Sequence, residues 1–309
     1  MLLRSLSLAA FALCGLRPAS LSAQETAGAE LWRLAAATIP VPEALATGGA
    51  AAFWNPAQRD DGARALLGID AIQTPEAVGA SGFLAALRVR LGASGGGRGG
   101  GRVGLVYGRM QLGGLVRTSV SPEPDQGTIP FFAHSIGALG SLVRGSTTLG
   151  ATVGYHETRL DHTDVGHWTL DAGLDRRFND VLRVAAATHF LSRASTNDGT
   201  QDIYTGLEYR VFRGTLWSGG ATANIRARYG IAVAHGFGAD HQFGAGIDFG
   251  DPIAFDVLVA RDGGYAGATW RAVAGLRVAI GRYQVSFARD GGASDLGSAF
   301  RVGLETRLQ

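Results

Sequence analysis

Phe300-Arg301-Val302-Gly303-Leu304-Glu305-Thr306-Arg307-Leu308 decides the fold. In an extended chain Phe300, Val302, Leu304, Thr306 and Leu308 fall on one face, and Arg301, Gly303, Glu305 and Arg307 on the other. Side chains alternate across a strand, so one face is apolar and the opposite one carries charge. The same period returns upstream. Ile225, Ala227, Tyr229, Ile231 and Val233 oppose Asn224, Arg226, Arg228 and Gly230. Phe243, Ala245, Ile247 and Phe249 oppose Gln242, Gly244, Gly246 and Asp248, and Ile203, Leu207 and Tyr209 oppose Asp202, Glu208 and Arg210. Val181 to Phe190 alternates less cleanly.

Fourteen such segments are read, at 64–72, 81–91, 102–117, 131–143, 147–157, 166–177, 181–191, 202–212, 222–235, 239–249, 253–261, 268–279, 282–289 and 298–308. Most exceed the roughly 5–6 residues of soluble strands and match the roughly 9–11 needed to cross a bilayer at a tilt. Several even-numbered connections are short, such as Arg144-Gly145-Ser146 and Ile280-Gly281. Several odd-numbered ones, including Thr118 to Pro130, Thr158 to Val165, Ser192 to Gln201 and Asp290 to Gly297, are longer and polar. That asymmetry is the habit of outer-membrane barrels.

Alternation also fits a soluble sandwich or propeller. Arg, Asp and Glu on strand after strand suit a polar lumen and would be awkward in a packed soluble core. The apolar faces then look into lipid, where only a closed sheet leaves no unpaired edge. The expected fold is all-β: a transmembrane antiparallel up-and-down β-barrel of about 14 strands (12–16 fit the loop pattern) with an N-terminal plug. Glu208, Arg226, Arg228, Asp248, Arg301 and Glu305 are its expected lumen-facing polar residues.

Composition narrows the function. All 28 basic residues are Arg, which excludes a P-loop lysine and Schiff-base chemistry. Gly, at 47 of 309 residues, is about twice its usual share of about 7%. Residues 1–23 read as a secretory signal peptide: Arg4, an apolar Leu6–Leu16 too short to span a bilayer, and Leu21-Ser22-Ala23 as the cleavage site. Its removal takes Arg4, Arg17 and the only cysteine, Cys14, and leaves Arg and acidic residues equal in number. Neither a nucleic-acid footprint nor a Cys-based metal site is expected. The domain reading is a signal peptide at 1–23, a periplasmic or plug segment at 24–62 and a barrel at 63–309. It places the protein in the outer membrane of a diderm bacterium.

Ahead of the first strand, Ala44 to Ala57 runs from small residues through Gly48-Gly49 into Phe53-Trp54-Asn55-Pro56-Ala57. This stretch resembles the N-terminal segment of the FadL and PorV families, fourteen-stranded outer-membrane barrels whose N-terminal segment packs into the lumen as a plug. Leu170-Asp171-Ala172-Gly173-Leu174 and the closing Phe300-Arg301-Val302-Gly303-Leu304 are similar in style to PorV-like chains, and the chain is nearer in size to the PorV and PorQ branch. It departs from the pattern in ending Leu308-Gln309 without a terminal aromatic, and in carrying Ala50-Ala51-Ala52 where an Asp-Asp stretch is common. Without the resemblance, Asn55 can close a turn, Pro56 fixes φ, and Phe53-Trp54 form a rigid wedge. Phe53, Trp54, Asn55 and Pro56 are the expected plug or gate.

In FadL-like proteins a kinked third strand opens laterally, and Gly108, Arg109, Gly113 and Gly114 mark the equivalent candidate here, with an ordinary bulge as the alternative. The GxGxxG pattern within Gly95 to Gly101 lacks a strand–helix setting and reads as a turn. His156, Glu157, Asp161, His162, Asp164 and His167 crowd one expected loop, but their spacing matches no standard metal site. No metal, cofactor or enzymatic activity is expected. The expected role is passive passage of small hydrophobic solutes, with outer-membrane lipid as surroundings. The alternatives are a PorV-like partner for secreted protein cargo and a soluble secreted β-protein.

Overall fold

A computed structural model describes residues 26–48, 50–59, 63–92, 99–117, 127–191, 201–215, 222–234, 238–250, 252–262, 269–291 and 298–308. The signal-peptide reading at 1–23 and most of the longer connections lie outside the described residues. The strands are β1 Ala65–Gln73, β2 Ala80–Leu91, β3 Gly99–Leu112, β4 Phe131–Arg144 and β5 Thr147–Leu160. They continue with β6 Thr163–Phe178, β7 Leu182–Leu191, β8 Asp202–Thr215, β9 Thr222–Ala234 and β10 Ala239–Phe249. The last four are β11 Ile253–Asp262, β12 Thr269–Ile280, β13 Tyr283–Asp290 and β14 Phe300–Leu308.

Each strand pairs antiparallel with its sequence neighbours. β1 closes on β14 from Ala65↔Leu308 to Gln73↔Phe300, so the fourteen-stranded sheet has no free edge. The period-two stripes fall as the alternation requires. Leu105, Val153, Leu276 and Leu304 stand on the outer face, while Arg88, Arg228, Asp256 and Arg301 are buried inside. Cross-strand register sets Tyr107, Ile136, Tyr155 and Trp168 side by side on the outside. Aromatic rings at the edge of an apolar band mark a membrane–water boundary. The oily face is the lipid face.

Two expectations are corrected. Thr158 to Val165 is not a long loop: β5 and β6 stay paired to Leu160↔Thr163, and Asp161-His162 turns the chain with Asp161 at φ 55°. Arg159 and Asp164, 3.4 Å apart, tie the extended hairpin. The supposed histidine loop is therefore mostly strand, and among the described residues no three His, Cys, Asp or Glu side chains form a metal-sized group.

The second correction concerns β3. It ends at Leu112 rather than 117, and its register against β2 and β4 is unbroken through Gly108 and Arg109. Gly113 and Gly114 lie beyond it. Gly108 is not a bend: a Cβ there would come within 2.6 Å of the Phe53 ring, so a bare backbone makes room for a side chain in the lumen. Register shifts occur instead between β6 and β7 at Leu170/Ala172, and between β8 and β9 at Arg210/Phe212.

Candidate functional site: the occupied lumen

The segment before β1 lies inside the barrel. It comprises a helix, α1 (Thr26–Ala36), and two 3-10 turns, Glu43–Leu45 and Ala50–Phe53. Leu31, Trp32, Ala35, Ala44, Leu45, Phe53 and Trp54 are all buried. Pro40 and Pro42 lie between α1 and the first turn, where the chain bends and the helix cannot continue.

Asn55 folds the segment onto itself. Its Nδ2 donates to the Ala44 carbonyl at 2.7 Å, and its Oδ1 accepts from the Ala57 N–H at 2.9 Å. The second bond is the local turn that asparagine favours before proline. The first ties together backbone eleven residues apart. Phe53 and Trp54 meet edge to face at 5.2 Å, and Phe53 also touches Trp32, His189 and Phe190. Trp54 reaches Tyr204, and His156 packs on Phe190 at 4.5 Å. The register shift between β6 and β7 serves this cluster. Phe190 takes φ 54°, its N–H donates to Asp171 Oδ1 at 2.7 Å, and both His189 and Phe190 turn inward.

An irregular chain inside a barrel has carbonyls that neither helix nor sheet satisfies, and buried carbonyls need donors. Wall arginines supply them. Arg88 donates to the carbonyls of Gln58 at 3.1 Å and Gly48 at 3.3 Å. Arg183 donates to Leu45 at 3.1 Å while also bonding Asp175. Arg271 and Arg301 donate to Ala37 and Ala35, at 2.7 and 3.4 Å, around the end of α1, where the Ala35 carbonyl also accepts from Thr38 Oγ1 at 2.8 Å. Gln242 donates to Glu43 Oε1 at 3.0 Å. Burial holds the Glu43 carboxyl above its ordinary value, against the opposing pull of this bond and of a backbone bond.

The six polar residues singled out in the strands all face the lumen. Arg228 bonds Glu208 and Asp256, each at 2.6 Å, and Arg226 bonds Asp248 at 2.5 Å. Arg277 joins the network through Asp256 and reaches Thr47 Oγ1 at 3.1 Å. Arg301 is held by Asp70, and Glu305 by Arg307. Glu208, Arg226, Arg228 and Asp248 thus form one charged ladder on β8 to β10, whereas Arg301 and Glu305 stand apart on β14. Between the segment and the wall of β1 and β11–β14 lies a cavity of about 70 Å³, with Ile39, Val41 and Trp54 on one side and Asp70, Arg277 and Glu305 on the other. Ligand pockets usually offer roughly 300–1,000 Å³, so this cavity is small beside them while the segment is in place.

Arg88, Arg183 and Arg271 were not singled out in advance. Their inward parity is readable in the sequence, but their partners lie dozens to hundreds of residues away.

No protein-family model matches the chain, and no curated protein does. Among solved structures, the toluene transporter TbuX of Ralstonia pickettii superposes with a TM-score of 0.50 at 15% identity, over 85% of this chain and 96% of that one. A deletion mutant of the TodX monoaromatic hydrocarbon channel gives 0.46 at 13% identity, over 83% and 93%. A Rh. blastica porin gives 0.38 at 11%, over 78% and 98%. At these identities the likeness to TbuX is one of fold. The chain is a closed fourteen-stranded β-barrel with the fold of that transporter, and its own N-terminal segment occupies the lumen.

Proposed function

We propose that the protein lets small hydrophobic solutes cross the outer membrane passively, as a FadL-like barrel in which residues 26–59 act as the gate. Phe53, Trp54, Asn55 and Pro56 form its wedge, and the paired lumen charges set the field along the path. The observation that carries this reading is how the segment is held. It fills the lumen, yet its polar contacts to the wall are separate hydrogen bonds, most of them from an arginine to a backbone carbonyl, each of those worth roughly 1.5–3 kcal/mol. Such bonds can exchange with water one at a time, so the segment can move without opening the sheet. The aromatic cluster of Trp32, Phe53, Trp54 and Phe190 is buried while the segment is docked, and its displacement would give an apolar solute a surface to enter along. No energy source or covalent step is required.

A tether tests this. A Cβ on Gly206 would lie 2.5 Å from Leu45 Cγ, which brings a cysteine pair at Leu45 and Gly206 within disulfide reach. Proteoliposomes bearing the wild-type chain pass toluene-sized aromatic solutes faster than empty liposomes. The oxidised Leu45→Cys/Gly206→Cys protein falls to the empty rate, and reductant restores passage. Equal rates for wild-type and empty liposomes would refute transport. Passage indifferent to the tether would refute the gate. The cargo-platform reading requires a sealed lumen and partners on the loop rim, and no observation among the described residues favours it.

A further inference from the structure

The outer wall carries a groove of about 570 Å³ near the long-loop end of β14, β1, β2 and β3. Register places Val302, Ala71, Phe83 and Arg109 in one outward row, and Phe300, Gln73, Ser81 and Gln111 in the next. Small side chains at Ala71 and Ser81, with the bare backbone of Gly82, make the floor. Phe83, Phe300 and Val302 wall it. Its size lies within the range of ligand sites, yet it opens toward lipid rather than the lumen.

Two arginines flank it. Arg109 lines the groove and lies over the Phe132 ring at 4.4 Å, and Arg289 lies over Phe300 at 5.7 Å. Some outward charges near the long-loop ends of other strands have partners: Glu157 faces His134 at 3.9 Å, and Arg159 faces Asp164 at 3.4 Å. Among the described residues neither Arg109 nor Arg289 makes an ion pair with a carboxylate. An outward arginine costs roughly 2–4 kcal/mol at the bilayer midplane and roughly 0–1 near the interface, so both suit the headgroup level. Stacking covers one face of each guanidinium and leaves N–H groups on its edge for an anion, and phosphate is the anion which that geometry grips best.

We infer that this groove seats a membrane lipid with an anionic phosphate headgroup, its acyl chain over Ala71, Gly82 and Val302 and its phosphate on Arg109, with Arg289 closing the far rim. The short-turn end offers a comparison. There Arg176 also stacks on an aromatic ring, Phe178 at 4.5 Å, away from this groove.

The test uses the full chain, purified in detergent and examined by native mass spectrometry with phosphatidylglycerol or phosphatidylcholine added. The wild type retains phosphatidylglycerol in preference to phosphatidylcholine. The Arg109→Gln/Arg289→Gln variant lowers that retention about ten-fold or more, as loss of charge-assisted bonds requires. Ala71→Trp, which fills the groove and spares both arginines, lowers it as well, and Arg176→Gln leaves it unchanged. Equal retention of the two lipids would overturn the proposal. So would retention that survives the double variant or Ala71→Trp, or that falls equally with Arg176→Gln. Heat-modifiable gel mobility confirms that each variant is a folded barrel.

Discussion

Asn55 Oδ1 occupies the space a Cβ on Gly173 would need, 2.3 Å from that position. The residue that folds the lumen segment onto itself is thus seated on a strand position that has no side chain. Gly173→Val forces Asn55 off its bonds to Ala44 and Ala57, and overpacking of this kind typically costs about 1–3 kcal/mol. The cost falls on the segment rather than on the sheet. Planar-bilayer recordings of the variant show more frequent or larger openings than the wild type, with little change in the temperature at which the barrel unfolds. A quiet variant would mean that Asn55 does not hold the segment in place.

Glu43 gives the seat a pH dependence. Its carboxyl is raised above 4.5 chiefly by burial, so the docked segment holds this proton more tightly than a released one would. For a raised pKa, the contribution to docking is complete below the ordinary value and is lost as pH rises through the raised one. Opening frequency should therefore climb as pH rises from about 4 through the raised value, then level off. Glu43→Gln keeps the neutral form at every pH and flattens that rise. A pH profile unchanged by the substitution would assign the effect to other groups.

The wall was legible because lipid and lumen impose opposite demands on alternate residues. Where that contrast fades, so does the reading. On β7 the inward residues Ala185 and Ala187 face the buried segment rather than water, which makes both faces apolar over the middle of the strand and explains the poor alternation there. The ends of β5 and β6 run past the aromatic row of Tyr155 and Trp168, where outward Arg159 and Asp164 look like loop. Gly108 invites reading as a bend because the cause of its bareness, Phe53, lies 55 residues earlier in the chain. Asn55 and its aromatic neighbours were legible as a compact local unit. The arginines that hold the segment were legible only as inward charges.

The lipid face itself can be probed at Val153, which stands outward between Ala138 on β4 and Leu170 on β6 and is 54% exposed. Val153→Arg places a charge in the apolar band and destabilises the barrel by about 2–4 kcal/mol if the site is near the midplane. The inward neighbour Thr152 faces the lumen, and Thr152→Ser leaves stability nearly unchanged. Urea unfolding in lipid vesicles separates the two, and equal effects would contradict the assigned faces.

Arg183 allows gate and wall to be separated. It bonds Asp175 through Nε at 2.9 Å and through Nη2 at 2.5 Å, and it gives Nη1 to the Leu45 carbonyl. Arg183→Met strips a buried carboxylate of its partner, a change that typically costs about 3–5 kcal/mol, so the barrel unfolds at lower temperature. Pairing it with Asp175→Leu removes the stranded charge. Apolar replacement of a buried ion pair is often neutral or stabilising, so the double variant recovers the heat resistance of the wild type. It does not recover the bond to Leu45. Conductance in the double variant therefore stays raised while its gel-shift midpoint returns to normal. Recovery of both together would mean that Arg183 supports only the wall and takes no part in holding the segment.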